Sequence, residues 1–225
     1  LNNWSYYLIT SYEDFENAVK EQLKYAVRIC VKGSHIIDDI CMDRIVPALS
    51  LSFSECVKSA KDYAWGGAKY NTGNGIILIG VADLINSMES IRDLVYDRKL
   101  VSMDEMIAAL AADFKGYEYI QELCKGTHKY GNDDDDVNAI TSHMLTFIAD
   151  EIEKYHSKFG QMTPGILPVS GNTPFGQDVG ALPSGRNAWK PLADGISPNG
   201  GTDKEGPAAV IKSVSSIPHS RYVQG

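Results

Sequence analysis

An α/β fold with helices in the majority is what this sequence predicts, and three observations carry the prediction. Long segments repeat their apolar residues three and four positions apart, the period of one helix face. Short apolar runs bounded by Gly, Pro, Asn and Ser stand between them as strand-sized pieces. The two kinds alternate along 225 residues that are 44% hydrophobic and 22% charged, enough apolar material for a sizeable core.

The elements follow in chain order. Residues 11–31 set Phe15, Ala18, Val19, Leu23, Ala26, Val27 and Ile29 at helical spacing, with Ser11 or Asp14 as the cap. Residues 46–53 (VPALSLSF) read as a short buried strand, and 54–64 as a helix. The run 66–75 (GGAKYNTGNG) is punctuation, rich in residues that tolerate unusual backbone angles. Residues 81–97 predict an amphipathic helix with Leu84, Met88, Ile91 and Val95 on one face. Residues 102–114 open with a capping box, Ser102 to Glu105, and 116–125 continue as helix. Residues 130–159 read as a turn, an acidic cap and a long helix. Its core face runs through Val137, Ile140, Met144, Phe147, Ile148, Ile152 and Tyr155. Residues 163–171 (TPGILPVSG) are expected to form a strand. A segment rich in Gly, Pro, Ser and Asn fills 181–207, and the apolar run 208–217 follows.

Charge and composition exclude several functions. A net charge of -8 argues against a nucleic-acid partner or an anionic membrane surface. No apolar run approaches the ~20 residues of a membrane span; the longest, GIILIGVADLI, is interrupted by Asp83. No basic stretch followed by an apolar one opens the chain, so no export signal is read and a cytoplasmic location is expected. Cys30, Cys41, Cys56 and Cys124 are widely spaced without a CxxC pair, which reads as reduced thiols. The opening at Leu1 and the abrupt end at YVQG read as an interior piece of a longer protein.

Motif spacing yields no complete catalytic apparatus. His35, His128, His143, His156 and His219 lack metal-ligand spacing, and there is no HExxH, so no bound metal is expected. The run GNGIILIG fails as a dinucleotide fingerprint because Leu78 holds the third glycine position. A calcium loop counted from Asp133 would need glycine and glutamate where Asn138 and Met144 stand. Asp133 to Asp136 instead suit a helix start, where carboxylates cap free N–H groups and face the positive end of the dipole. The segment 181–207 interleaves Arg186, Trp189, Lys190, Asp194, Asp203, Lys204 and Glu205 with its turn residues, too specific a pattern for a linker.

Four stretches, in this order, resemble a series found in glycyl radical enzymes, the pyruvate formate-lyase relatives. They are GGAKYN (66–71), ADLINSMESIRDLVYD (82–97), KYGNDDDDVN (129–138) and GALPSGRNAWKPLADGISPNGGTDKEGPAAVIKSVS (180–215). The opening LNN also looks like the end of that family's LALNNG helix. The last stretch is the most specific, and it looks closer to the diol dehydratases, choline lyase and arylacetate decarboxylases than to pyruvate formate-lyase. The resemblance implies that residues 1–225 are a single partial domain. This would be the C-terminal half of an α/β barrel of ten strands with many surrounding helices. It makes the segment 181–207 a rigid architectural loop, with Arg186, Asp194 and Asp203 pinning it through charge-assisted hydrogen bonds.

The family works with two loops meeting inside the barrel, a cysteine in a GCVE-like run and a glycine in a VRVSGY-like run. Neither run occurs here. By the resemblance the first would precede Leu1 and the second would follow Gly225, so no catalytic residue is assigned to this segment. Cys56, in SECVKS, matches a different family segment. The implied activity is cleavage of a C–O, C–N or C–C bond in a small polar or aryl-acid substrate, begun by hydrogen abstraction at a thiyl radical. The alternative is a non-catalytic scaffold that lacks the radical loops. No cofactor would be bound. The glycyl radical would be installed by a radical SAM iron–sulfur activating enzyme, and the protein would be a homodimer. Relatives set substrate-contacting side chains just before the signature loop, which makes Val169, Ser170 and Asn172 candidates to line the pocket. Ser52 and Asn71 are weaker ones.

Overall fold

The computed structural model describes residues 9–69 and 74–224. Its longest element is α1 (Tyr12–Met42), which runs well past the predicted end. Ser11 Oγ accepts the Asp14 N–H (3.1 Å) and the Asp14 carboxylate accepts the Ser11 N–H (3.0 Å), a reciprocal cap that fixes the helix start. Val19, Leu23, Val27 and Val31 turn toward the core. Ala26 and Ile29, expected on that face, point outward.

Residues 46–53 are not a strand. Pro47, whose fixed φ suits a first helical turn, opens α2 (Pro47–Ser50), and α3 (Ser54–Ser59) follows. A 3-10 turn, Tyr63–Trp65, then packs back on α1 and α2, tied by Ser50 Oγ donating to Asp62 (2.8 Å) and accepting the Tyr63 N–H (2.9 Å).

The main sheet is parallel. β1 (Gly75–Ile77) pairs with β4 (Thr163–Ile166), and β4 with β5 (Val223–Gln224), in the order β1-β4-β5. Parallel neighbours need crossovers, and these crossovers carry the helices. Between β1 and β4 run α4 (Val81–Ile91), α5 (Met103–Ala111), α6 (Glu118–Gly126) and α7 (Asp135–Ile152). A small antiparallel hairpin of β2 (His156–Ser157) and β3 (Gly160–Gln161) completes that crossover. Between β4 and β5 lie α8 (Asn172–Asp178), the long loop and α9 (Pro207–Ser215).

The predicted amphipathic helix 81–97 departs from expectation in two ways. α4 is buried on its polar side as well, at Asp83, Asn86, Glu89 and Ser90, while Leu84 and Val95 are only half-buried. The helix then widens into a π turn over Arg92–Asp97, which sends Leu94 fully inward. The capping box at Ser102 forms, with Glu105 N–H to Ser102 Oγ at 3.2 Å. α5 and α6 are separate helices because Asp113 and Phe114 take left-handed backbone angles between them. α7 begins with Asp134 as N-cap, accepting the Val137 N–H at 3.0 Å, and ends at Ile152, so Tyr155 lies beyond it. The larger core cluster joins the sheet, α1, α4 and α7 around Ile85, Met144, Leu145, Ile152, Met162 and Ile166. A smaller one gathers Leu94, Met106, Phe114, Ile120 and Cys124 under the π turn, α5 and α6.

Candidate functional site

The C-terminal ends of parallel strands gather the loops that carry function in layered α/β proteins. Here β4 ends at the fully buried Ile166, and Leu167 to Gly171 lead out to α8. The predicted strand 163–171 therefore stops early. Pro168 has no N–H to offer a neighbouring strand, and the chain turns at Ser170. Val169 is half-buried and Ser170 exposed at this strand exit, neither of them within a regular strand, so side-chain alternation does not decide which faces inward.

The other candidates fall elsewhere. Asn172 lies in the first turn of α8 and is occupied with the long loop: its side chain donates to the Leu192 carbonyl (3.1 Å), and its own carbonyl accepts the Leu192 N–H (3.1 Å). Ser52 is exposed in the turn after α2, where its hydroxyl donates to the Leu49 carbonyl (2.6 Å), in a substructure that packs on α1 and the 3-10 turn. Asn71 lies outside the described residues.

Asp113, Gln121 and Asn132 hydrogen-bond the limbs of the long loop, and two further devices hold it. The first is Arg186. Its guanidinium donates to the carbonyls of Gly176 (2.7 Å), Gly180 (2.9 Å), Val179 (3.4 Å) and Pro191 (3.4 Å), and to that of Lys190. One planar fork thus gathers the end of α8 and both limbs of the loop. Gly176 is needed for that approach, since a Cβ there would collide with the Lys190 carbonyl oxygen. The second device is a buried chain of amides and a carboxylate on the polar side of α4. Asp83 accepts the Ala193 N–H (2.6 Å) and the Asn199 side-chain amide (2.8 Å). Asn199 in turn accepts from Asn86 (2.8 Å), and Asn86 accepts the Tyr130 N–H (2.8 Å). Tyr130 closes the ring by donating its hydroxyl to the Ile196 carbonyl (3.0 Å). Burial raises the Asp83 carboxyl pKa, opposed by its hydrogen bonds to Ala193 and Asn199 and by the charge of Arg186.

This corrects the expectation for two loop residues. Asp194 and Asp203 are exposed, and their side chains take no hydrogen bond from the described residues. The carboxylates that pin the loop lie upstream of it: Asp83, 110 and 116 positions before Ala193 and Asn199, and Asp113, which accepts the Ala188 N–H (2.8 Å). A signal for the first stood in the sequence: Asp83 is the charge that interrupts the longest apolar run. The loop bears directly on the strand exit, because Gly195, at φ +52°, sits so close that a Cβ would lie 3.1 Å from the Pro168 nitrogen.

Beside the loop an open cleft of about 1440 Å³ is lined by Lys125, Lys129, Arg186, Lys204 and Lys212 among others. Lys129 is buried and donates to the Cys124 carbonyl (2.6 Å) and to Thr127 Oγ1. Burial lowers its pKa to about 8 and raises that of the neighbouring Cys124 thiol to about 11. The acidic run does two jobs. Asp134 caps α7 and accepts from His128, and Asp133 and Asp136 pair with Lys212 (2.6 Å) and Arg92 (3.3 Å). No cluster of metal-ligating side chains occurs among the described residues, and no helix there is long and apolar enough to cross a membrane. What the arrangement can do is hold the long loop rigidly against the start of the strand exit, at Leu167 and Pro168.

Comparison with known proteins agrees with that architecture. Residues 5–176 match the model of the pyruvate formate lyase-like family. The chain is 37% identical over 212 residues to trans-4-hydroxy-L-proline dehydratase of Clostridioides difficile, a match that takes in 93% of this chain and 27% of that protein. Its backbone matches the glycerol-bound form of the B12-independent glycerol dehydratase from Clostridium butyricum with a TM-score of 0.89 at 35% identity, over 94% of this chain and 27% of that one. A glycyl radical enzyme from Archaeoglobus fulgidus gives 0.89 at 33% identity, over 95% and 28%. The chain spans about a quarter of the length of these relatives. With most of its residues matched by the family model and its backbone shared with glycyl radical enzymes at this identity, the chain belongs to the pyruvate formate lyase-like family of glycyl radical enzymes.

Proposed function

We propose that residues 1–225 form one wall of the barrel of a glycyl radical dehydratase, with the strand exit at Val169 and Ser170 facing the substrate. The observation that carries this reading is the coincidence of two features. The chain is 37% identical over 93% of its length to the hydroxyproline dehydratase. The same chain ends a parallel strand at Ile166 and holds a long loop, through Arg186 and Asp83, against the exit at Leu167 and Pro168. In this reading the cysteine and glycine of the radical pair belong to polypeptide outside residues 1–225; a radical SAM activating enzyme would remove a hydrogen from the glycine, the glycyl radical would take the hydrogen of the cysteine thiol, and the resulting thiyl radical would abstract the substrate hydrogen that starts C–O cleavage. The residues present here orient the substrate and exclude water, both of which a radical reaction needs. Val169 offers an apolar contact and Ser170 a hydroxyl that can donate or accept.

The test uses the full-length protein, activated anaerobically. Val169→Phe should lower kcat/KM for bulky substrates more than for small ones. Ser170→Ala should weaken hydroxylated substrates, by about 10-fold for one lost hydrogen bond. If both variants leave the ranking of a panel of hydroxylated substrates untouched, the strand exit does not shape the pocket. If the activated wild-type protein forms no glycyl radical signal in electron paramagnetic resonance, the enzymatic reading itself fails.

A further inference from the structure

In a chain of net charge -8, the cleft beside the long loop gathers lysines and an arginine, and not all of them are neutralised. Lys125 pairs with Glu122 (2.9 Å) and Lys212 with Asp133 (2.6 Å), and Arg186 is occupied with backbone carbonyls. Lys129 has no such outlet. Its side chain is 7% exposed, yet its ammonium donates only to two neutral oxygens, the Cys124 carbonyl and Thr127 Oγ1, which leaves a third N–H over. Among the described residues no carboxylate lies within ion-pair distance of Lys129 or of Lys204. The carboxylates that line the cleft are committed or remote: Asp133 and Asp134 hold Lys212 and His128, while Asp194 and Glu205 are exposed and pair with neither lysine. A buried cation without a counter-charge is costly.

Asn132 holds the two unpaired lysines together. Its amide donates to the Lys129 carbonyl (3.1 Å) and its oxygen accepts the N–H groups of Lys204 (2.7 Å) and Glu205 (3.1 Å). Burial lowers the Lys129 pKa, and the charge of Lys204 lowers it further, so the two ammoniums stand close enough to repel. The same wall carries the start of α9, where Ala208 and Ala209 line the cleft and no side chain caps the first turn, so the positive end of the helix dipole is open there. Ser184, which also lines the cleft, has a buried hydroxyl with no hydrogen-bond partner. We propose that this cleft binds a divalent oxyanion, a phosphate or the phosphoryl group of a small phosphate monoester, between Lys129, Lys204 and the first turn of α9. A divalent anion matches the two uncompensated ammoniums, where a carboxylate would leave one of them uncompensated, and a helix start suits its oxygens. Neither Val169 nor Ser170 lines the cleft, so its occupancy can be read without turnover.

Titration calorimetry on the full-length protein, without activation and at fixed ionic strength, tests this with inorganic phosphate and with methyl phosphate. The parent should bind one anion per chain with a saturable isotherm. Lys204→Ala and Lys129→Met should each weaken binding by about 10-fold, the loss of one charge-assisted hydrogen bond. Lys204→Arg should keep it, and so should Lys58→Ala, which removes an exposed lysine of α3 outside the cleft. Lys204 is exposed and its side chain is unpaired, so Lys204→Ala decides the matter even if Lys129→Met does not fold. Tighter binding of methyl phosphate would assign the site to phosphate monoesters and tighter binding of phosphate to the free ion; either upholds it. No saturable binding of either anion by the parent would overturn the proposal. So would an affinity unchanged by Lys204→Ala, or one lowered equally by Lys58→Ala, which would mean attraction to surface charge at large.

Discussion

At the scale of single residues, two of the side chains that hold the loop carry opposite charge. Arg186→Ala should destabilise the full-length protein by about 1–3 kcal/mol, because several backbone carbonyls lose their donor at once. Arg186→Lys should not restore it, since one ammonium cannot reach carbonyls spread from Gly176 to Pro191. Thermal melting of the parent and both variants checks this; unchanged stability with lost turnover would make Arg186 a substrate ligand instead. Asp83→Ala leaves the Ala193 N–H and the Asn199 amide without acceptors and should cost about 2 kcal/mol. Lys129 gives a pH signature. Its pKa is about 8 when folded, below the ordinary lysine value, so above pH 8 the folded state binds fewer protons than the unfolded one. Burying the charge therefore costs stability below pH 8, and the cost is relieved as pH rises toward the unfolded value. Relative to Lys129→Met, the parent should gain up to about 1.4 kcal/mol per pH unit above 8, measured by denaturant unfolding at pH 7, 8 and 9.5.

Among the elements, the contact between α8 and the loop is tight enough to predict a steric failure. Gly176→Ala puts a methyl group against the Lys190 carbonyl, which Arg186 also holds, so the loop must lift from α8. A loss of about 1–3 kcal/mol is expected, together with faster hydrogen exchange at the Leu192 and Ala193 amides, which bond to Asn172 and Asp83. Ser102→Ala, by contrast, removes a cap of α5 that has no hydrogen bond to the loop and should cost about 1 kcal/mol without changing exchange at Leu192 and Ala193. The two caps at Ser11 and Ser102 were legible in the sequence because capping depends on residues three apart in the chain. The strand expected at 46–53 was not. Its apolar composition suits a strand as well as a helix, and the decision came from Pro47 and from Ser50 tying the segment to Asp62 and Tyr63.

For the whole molecule, the residues described form a parallel sheet with helices over it and broad apolar surfaces toward solvent. The 225-residue chain alone is expected to be catalytically inactive, because neither radical-loop sequence occurs in it. It is also expected to melt broadly and to bind a hydrophobic dye such as ANS through the exposed apolar side chains of α1. A sharp cooperative transition in a monomeric chain without dye binding would contradict the second expectation.

The sequence by itself determined the α/β class, most of the helices and the family, since helix periods, caps and an ordered series of motifs are properties of neighbouring residues. It also marked Arg186 and the loop as specific. Only the tertiary structure decided that the loop is pinned by Asp83 and Asn86 of α4 rather than by its own Asp194 and Asp203. It likewise decided that the strand before Val169 stops at Ile166, and that α4 is buried on its polar side. The physical reason is the same in each case. A buried hydrogen-bonding group takes whichever partner the fold brings within about 3 Å, and that partner's place in the chain leaves no mark at the position that needs it.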